Sequence, residues 1–213
     1  EIKTFSLMIL NLFVRTLALN ITLYYASAFS TSYGKEYIAA YTIAINLWFL
    51  GAFIIDGYSS AGNILSGKLF GQENYQALLR LSSKLIKYGI ILGISMAIIG
   101  GLFYEIIGTV FTKDPKVLHE FYQVFWIILL MQPLCALAFI FDGVFKGLGK
   151  MKYLRNVLLF STFMVFLPLL FWLDSMNYKL YGIFIAFTAW IIARGVPLII
   201  KFRQQFSLLS QKV

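Results

Sequence analysis

Cysteine and histidine are nearly absent: Cys135 and His119 stand alone in 213 residues. A single cysteine excludes an internal disulfide framework and a cysteine-based metal cluster, and a single histidine leaves no His-rich site. Acidic residues are scarce too, nine against eighteen Lys and Arg, and charged residues of both signs make up 13% of the chain. Soluble domains carry about 25%. Enzyme signatures are missing as well, with no His-Glu-x-x-His, no Ser-centred elbow and no paired Cys/His ligands. Gly147-Leu-Gly149 lies among Lys146, Lys150 and Lys152 but lacks the spacing of a phosphate-binding loop. What the chain has in abundance is apolar surface: 60% hydrophobic residues, 18% aromatic, and a mean hydropathy of +0.81. A water-soluble fold of this composition would expose large apolar patches and aggregate, and disordered chains are poor in such residues. The sequence describes an integral membrane protein. It starts at Glu1 rather than Met, with no signal sequence following, which suggests a piece of a longer protein.

A membrane-crossing helix needs about 20 mostly apolar residues. Six such windows occur: about Phe5–Gly34, Ile38–Ile55 continuing towards Ser66, Tyr88–Tyr104, Phe121–Phe141, Asn156–Leu173 and Leu180–Ile200. They are too long for barrel strands, which would also alternate polar and apolar residues. One side of the membrane then receives Lys3, Lys68, Arg80, Lys84, Lys87, Lys146, Lys150, Lys152, Arg155, Lys201, Arg203 and Lys212. The other receives Lys35, Lys113, Lys116 and Lys179. Basic residues are retained on the cytoplasmic side, so both termini are expected there, in a multi-pass protein of the cell membrane. The net charge of +9 reflects this asymmetry rather than a nucleic-acid partner. Residues 1–213 read as one six-helix unit. Pro133, Pro168 and Pro197 fall within spans, where proline either kinks a helix or is tolerated. Three Gly-x-x-x-Gly spacings, Gly67/Gly71, Gly89/Gly93 and Gly143/Gly147, permit close helix packing.

Charges inside a span cost at least ~2.5–3.5 kcal/mol and so tend to have a role. Arg15, Asp56 and Asp142 are the candidates for ion coupling or transport. Asn11, Arg15, Ala18 and Thr22 share one helix face. Arg15 and Asp56 each lie twelve residues from a lysine of the basic side, on consecutive helices, and so at matching depths. A direct or single-water-bridged pair between them is expected, because buried charges persist mainly when paired; a coupling carboxylate is the other reading of Asp56. Asp142 is open between an i, i+4 contact with Lys146 and a functional carboxylate. Arg194 is expected to snorkel to the headgroups. Asn46, Gln132 and Trp48 are candidates to line a cleft. A short echo joins two helices: Ala52-Phe-Ile-Ile-Asp-Gly57 resembles Ala138-Phe-Ile-Phe-Asp-Gly143.

Phe13-Val-Arg-Thr-Leu-Ala-Leu19, Gly34, Ala39-Ala40, Asp56-Gly-Tyr-Ser-Ser-Ala61 and Gly67-Lys-Leu-Phe-Gly71 resemble the multidrug and toxic compound extrusion (MATE) family, most of all its DinF-like branch. The motifs look like the seventh and eighth helices of that family, and Asp142 to Lys150 like the end of its tenth. The resemblance implies an all-α fold in which this chain is the carboxy-terminal lobe of a twelve-helix transporter, with the amino-terminal lobe as its missing partner. It also implies export of a small organic cation in exchange for H+ or Na+, with no other cofactor. In DinF-like relatives the other lobe carries the favoured coupling aspartate, and one branch uses an acid on the tenth helix, near Asp142. Two rivals remain: a lipid-linked oligosaccharide flippase of the same superfamily, which should line its cleft with several cations, and a non-transporting scaffold or pore.

Overall fold

The structure is a computed structural model that describes residues 2–210, with side chains over residues 6–206. Lys3 and Lys212 of the basic set have side chains outside this range. The described chain is all helical: α1 (Ile2–Ser32), α2 (Lys35–Gly71), α3 (Tyr75–Leu102), the short α4 (Tyr104–Phe111), α5 (Pro115–Gly147), α6 (Met151–Phe160), α7 (Leu167–Ser175) and α8 (Lys179–Ser210). A π-wound turn, Ser161–Phe166, joins α6 to α7 in one continuous span. Six helices among the described residues are long and apolar enough to cross a membrane. Each contains the core of one sequence window, although α3 begins well before Tyr88 and ends at Leu102, with Tyr104 already in α4. The addition is α4, too short for a crossing, which follows α3 directly.

The bundle is organised around α5. Its apolar window is 61% buried, against 11% for α1 and 17% for α3, and it packs against α2, α3 and α8. Glycines set these approaches. A Cβ on Gly147 would stand 3.0 Å from the Gly67 nitrogen, and one on Gly93 would stand 2.8 Å from the Pro133 Cα. Any larger residue would force the helices apart. All three Gly-x-x-x-Gly spacings thus place at least one glycine against a neighbouring helix.

Helix ends are marked by a shared device. After α2, α5 and α7 the chain turns through the left-handed region at Glu73 (φ 56°), Gly149 (φ 68°) and Asn177 (φ 61°). Each turn closes with paired backbone bonds, such as Gly149 N–H to the Lys146 carbonyl and Lys150 N–H to the Phe145 carbonyl, the pattern that satisfies orphan carbonyls at a helix terminus. Gly147-Leu-Gly149 is therefore a helix stop. Pro133 and Pro197 sit inside continuous helices. Pro168 instead follows the π turn, whose wider winding accommodates the missing amide donor.

At the end opposite the termini, Tyr33 in the α1–α2 turn donates to Asp174 Oδ1 at 2.5 Å, and the Lys179 ammonium donates to the Tyr37 hydroxyl at 3.1 Å. Burial, then the hydrogen bond to Asp174, hold the Tyr33 phenol protonated beyond the usual tyrosine range.

Candidate functional site

The centre of the site is the Asp142 carboxylate, which faces three cations from three helices. Arg15 of α1 hydrogen-bonds Oδ2. The Lys146 ammonium, one turn along α5, lies 3.2 Å from the same oxygen. Arg194 of α8 lies 3.7 Å from Oδ1. The Arg194 and Asp142 side chains are 5% and 8% exposed, Arg15 14% and Lys146 26%, so the cluster is nearly dry at its core. The guanidinium of Arg194 also lies over two rings, 4.7 Å from Trp190 and 5.3 Å from Phe139, a placement that favours a cation. One turn away α8 touches α5 closely, where a Cβ on Gly195 would meet the Ala138 Cα at 3.4 Å. That approach brings Arg194 within reach of Asp142.

Two sequence expectations are corrected here. Arg15 pairs with Asp142 rather than Asp56, and among the described residues Asp56 has no ion pair within 4.0 Å. Depth along the helix was matched, but rotation about it was not: Asp56 lies on the exposed side of α2. Arg194 does not snorkel, because its helix turns it inward onto Asp142 and the two rings. For Asp142, the i, i+4 contact with Lys146 and a place in the cavity wall hold together.

The cluster forms one wall of a cavity of about 260 Å³. Trp48, Phe49, Phe53, Leu19, Leu23 and Trp190 give the cavity an aromatic and apolar lining, and Asp56 joins it from α2. The two aspartates of the sequence echo thus meet in a single cavity. Trp48 is buried, its indole N–H donating to the Cys135 sulfur at 3.3 Å. Asn46 is exposed and donates back to the Thr42 carbonyl, and it does not line the cavity. Gln132 is buried beside Gly51 in a second, apolar cavity of about 270 Å³ between α2, α3 and α5.

Sequence reasoning missed a polar node beside the π turn. Trp190 donates to the Thr162 hydroxyl at 3.1 Å, and the hydroxyls of Thr22 and Thr162 are 3.2 Å apart, all buried. Thr22 ended the polar stripe read on α1, and that stripe faces inward: Ala18 is buried and Asn11 accepts from Arg155 at 2.7 Å. The intramembrane threonine on α1 was a usable signal, and Pro168 one for an irregular winding nearby.

Six apolar spans packed around α5, with a charged and aromatic cavity in the wall, define a multi-pass helical membrane bundle. The family model described as MatE matches residues 6–172, and the chain belongs to that family. Among curated relatives it is 28% identical over 159 residues to Protein DETOXIFICATION 45, chloroplastic, of Arabidopsis thaliana, covering 72% of this chain and 28% of the relative. Protein DETOXIFICATION 42 of the same plant is 29% identical over 160 residues, covering 75% and 31%. The chain therefore spans under a third of these relatives' length. Among solved structures, a multidrug resistance MATE family transporter in an outward-facing conformation superposes with a TM-score of 0.83 at 17% identity, covering 92% of this chain and 45% of that one. A MATE structure in the bent conformation gives 0.84 at 16%, covering 93% and 44%. A Pyrococcus furiosus transporter of the MOP superfamily, described as having a binding pocket of reverse polarity, gives 0.83 at 16%, covering 92% and 44%. The fold is a six-helix half of the twelve-helix MATE architecture.

Proposed function

We propose that this chain is the carboxy-terminal lobe of a DinF-like MATE exporter, which moves an amphipathic organic compound by alternating access, driven by H+ or Na+. The observation that carries this reading is the polarity of the α1–α2 face. Thr16, Asn20, Asn46, Asp56 and Ser60 are all exposed there, whereas exposed Ile91, Ile94, Ile98 and Leu102 line the outside of α3. Polar groups facing hydrocarbon are costly, so the α1–α2 face belongs against the amino-terminal lobe and a watery cleft, and the α3 face against lipid. The excess of basic residues at one end supports a multi-pass placement in the cell membrane with both termini cytoplasmic.

The aromatic wall suits an apolar substrate body. A small organic cation, the class implied by the family resemblance, would meet in this cavity one carboxylate without an ion pair, that of Asp56. The flippase reading gains a specific observation, since Lys146 joins Arg15 and Arg194 as a third cation in the lining. The test is transport by the complete protein in proteoliposomes under an imposed proton or sodium gradient. Gradient-dependent efflux is expected, and none from residues 1–213 alone. Leak that ignores both gradients would indicate a pore, and no flux of any kind would indicate a scaffold.

A further inference from the structure

We propose that the cavity beside Asp142 binds the anionic group of an amphipathic substrate, at Arg15 and Lys146. This deepens the transport reading and rests on it. The charge balance of the lining is the first reason. Arg15, Lys146 and Arg194 face it against the two carboxylates of Asp142 and Asp56, leaving one positive charge in excess.

Donor balance is the second reason. Asp142 Oδ2 serves Arg15 and Lys146 together, while Arg194 stands 3.7 Å from Oδ1, beyond hydrogen-bond reach. A guanidinium carries five N–H donors, and the buried Nε of Arg15 has no partner. The site therefore holds more donors than acceptors, and a carboxylate, sulfonate or phosphate would supply what is missing. Arg194 has its ring faces and Asp142 to hold it; Arg15 and Lys146 are the more accessible cations and the ones an incoming anion would meet.

The third reason concerns the rest of the ligand. Away from the cluster the lining is Leu19, Leu23, Phe49 and Phe53, with nothing to pair a second or third charge. One anionic group on an apolar, aromatic body matches this wall. The same chemistry could be offered by a soluble organic acid or by the headgroup phosphate of a lipid.

Three dansyl compounds of one body and different charge test the proposal: dansylglycine (anionic), dansylamide (neutral) and dansylcadaverine (cationic). Binding to the complete protein in phosphatidylcholine vesicles, without any ion gradient, is read by energy transfer from tryptophan; Trp48 and Trp190 line the cavity. The expected order is anion, then neutral, then cation, with steps of about tenfold, the effect of one moderately screened charge. Lys146→Gln should weaken dansylglycine about tenfold and leave dansylamide unchanged. Asp56→Asn, at an exposed position with no ion pair among the described residues, should strengthen dansylglycine. Phosphatidic acid in the vesicles that displaces dansylglycine would assign a lipid headgroup as the source; no displacement would assign a soluble anion. The reverse order of affinities, or an Asp56→Asn variant that weakens dansylglycine, would overturn the proposal. Because no gradient is involved, that result would leave the transport reading standing.

Discussion

Replacing Asp142 by Asn removes the one carboxylate that three cations share. At an effective dielectric of about 20, unit charges at 3.2 and 3.7 Å attract by about 5 and 4.5 kcal/mol, and the hydrogen-bonded Arg15 adds a third such attraction. Dehydration of the four groups offsets most of that sum in the intact cluster. In the variant the dehydration cost stays and the attraction is lost, most severely for Arg194, whose side chain is 5% exposed. Breaking a buried pair from one side costs about 3–5 kcal/mol, and Asp142→Asn should fall in that range. Adding Arg194→Met to Asp142→Asn removes the deepest orphaned cation and keeps an apolar stem beside Trp190. The double variant should therefore recover at least about 1 kcal/mol, a coupling that a double-mutant cycle resolves. The assay is unfolding of the complete protein in mixed micelles titrated with SDS, followed by tryptophan fluorescence. A loss under about 1 kcal/mol for Asp142→Asn, or a double variant worse than the single, would refute the reasoning.

Other expectations follow from the packing. Gly147→Ala should destabilise by about 1–3 kcal/mol through overpacking, since its methyl meets the Gly67 backbone, while Gly71→Ala, with nothing within 4 Å of the new methyl, should be neutral or slightly stabilising in the same titration. Thr162→Val leaves the Trp190 indole N–H without its acceptor and should cost about 1–3 kcal/mol, whereas Thr162→Ser should cost less. Glu73→Gly relieves a left-handed backbone at a non-glycine residue and should stabilise by about 0.5–1 kcal/mol. Tyr33→Phe removes the tie to Asp174 and should cost about 1 kcal/mol near neutral pH. Because the phenol is held protonated in the fold, the wild-type protein should lose stability as pH rises above about 10, where unfolded tyrosine ionises, and the variant should lose less.

The spans were legible because uninterrupted apolar length is a strong signal and each window became a helix. The site was legible in its members and not in its pairing. Counting residues from the basic ends places Arg15 and Asp56 inside spans and Asp142 at the end of one, but depth says nothing about which way a helix is rotated. The echo around Asp56 and Asp142 made the two acids look alike, and short connection favoured the neighbouring helix. What decides is the packing of α1, α5 and α8 around one carboxylate. For Arg194 a clue was present: Trp190, four residues earlier, shares its face, and a face bearing tryptophan in the middle of a span suits an inward cation as well as a snorkelling one. The short α4 contains Glu105 and too few residues for a crossing. For the π turn Pro168 was the local signal, but proline in a span reads equally as a kink or as tolerated, and the contacts of Thr162 with α1 and α8 come from tertiary packing.

Cysteine accessibility tests directly whether the α1–α2 face, with the cavity behind it, meets water and the opposite lobe while the α3 face meets lipid. The native Cys135 is buried and should stay silent towards a charged, membrane-impermeant methanethiosulfonate. Phe53→Cys, at a position 70% exposed and lining the cavity, and Ile98→Cys, 57% exposed on α3, are introduced separately into the complete protein in membranes. Reaction at position 53 and none at position 98 is the expected result; reaction at 98 with silence at 53 would contradict the account.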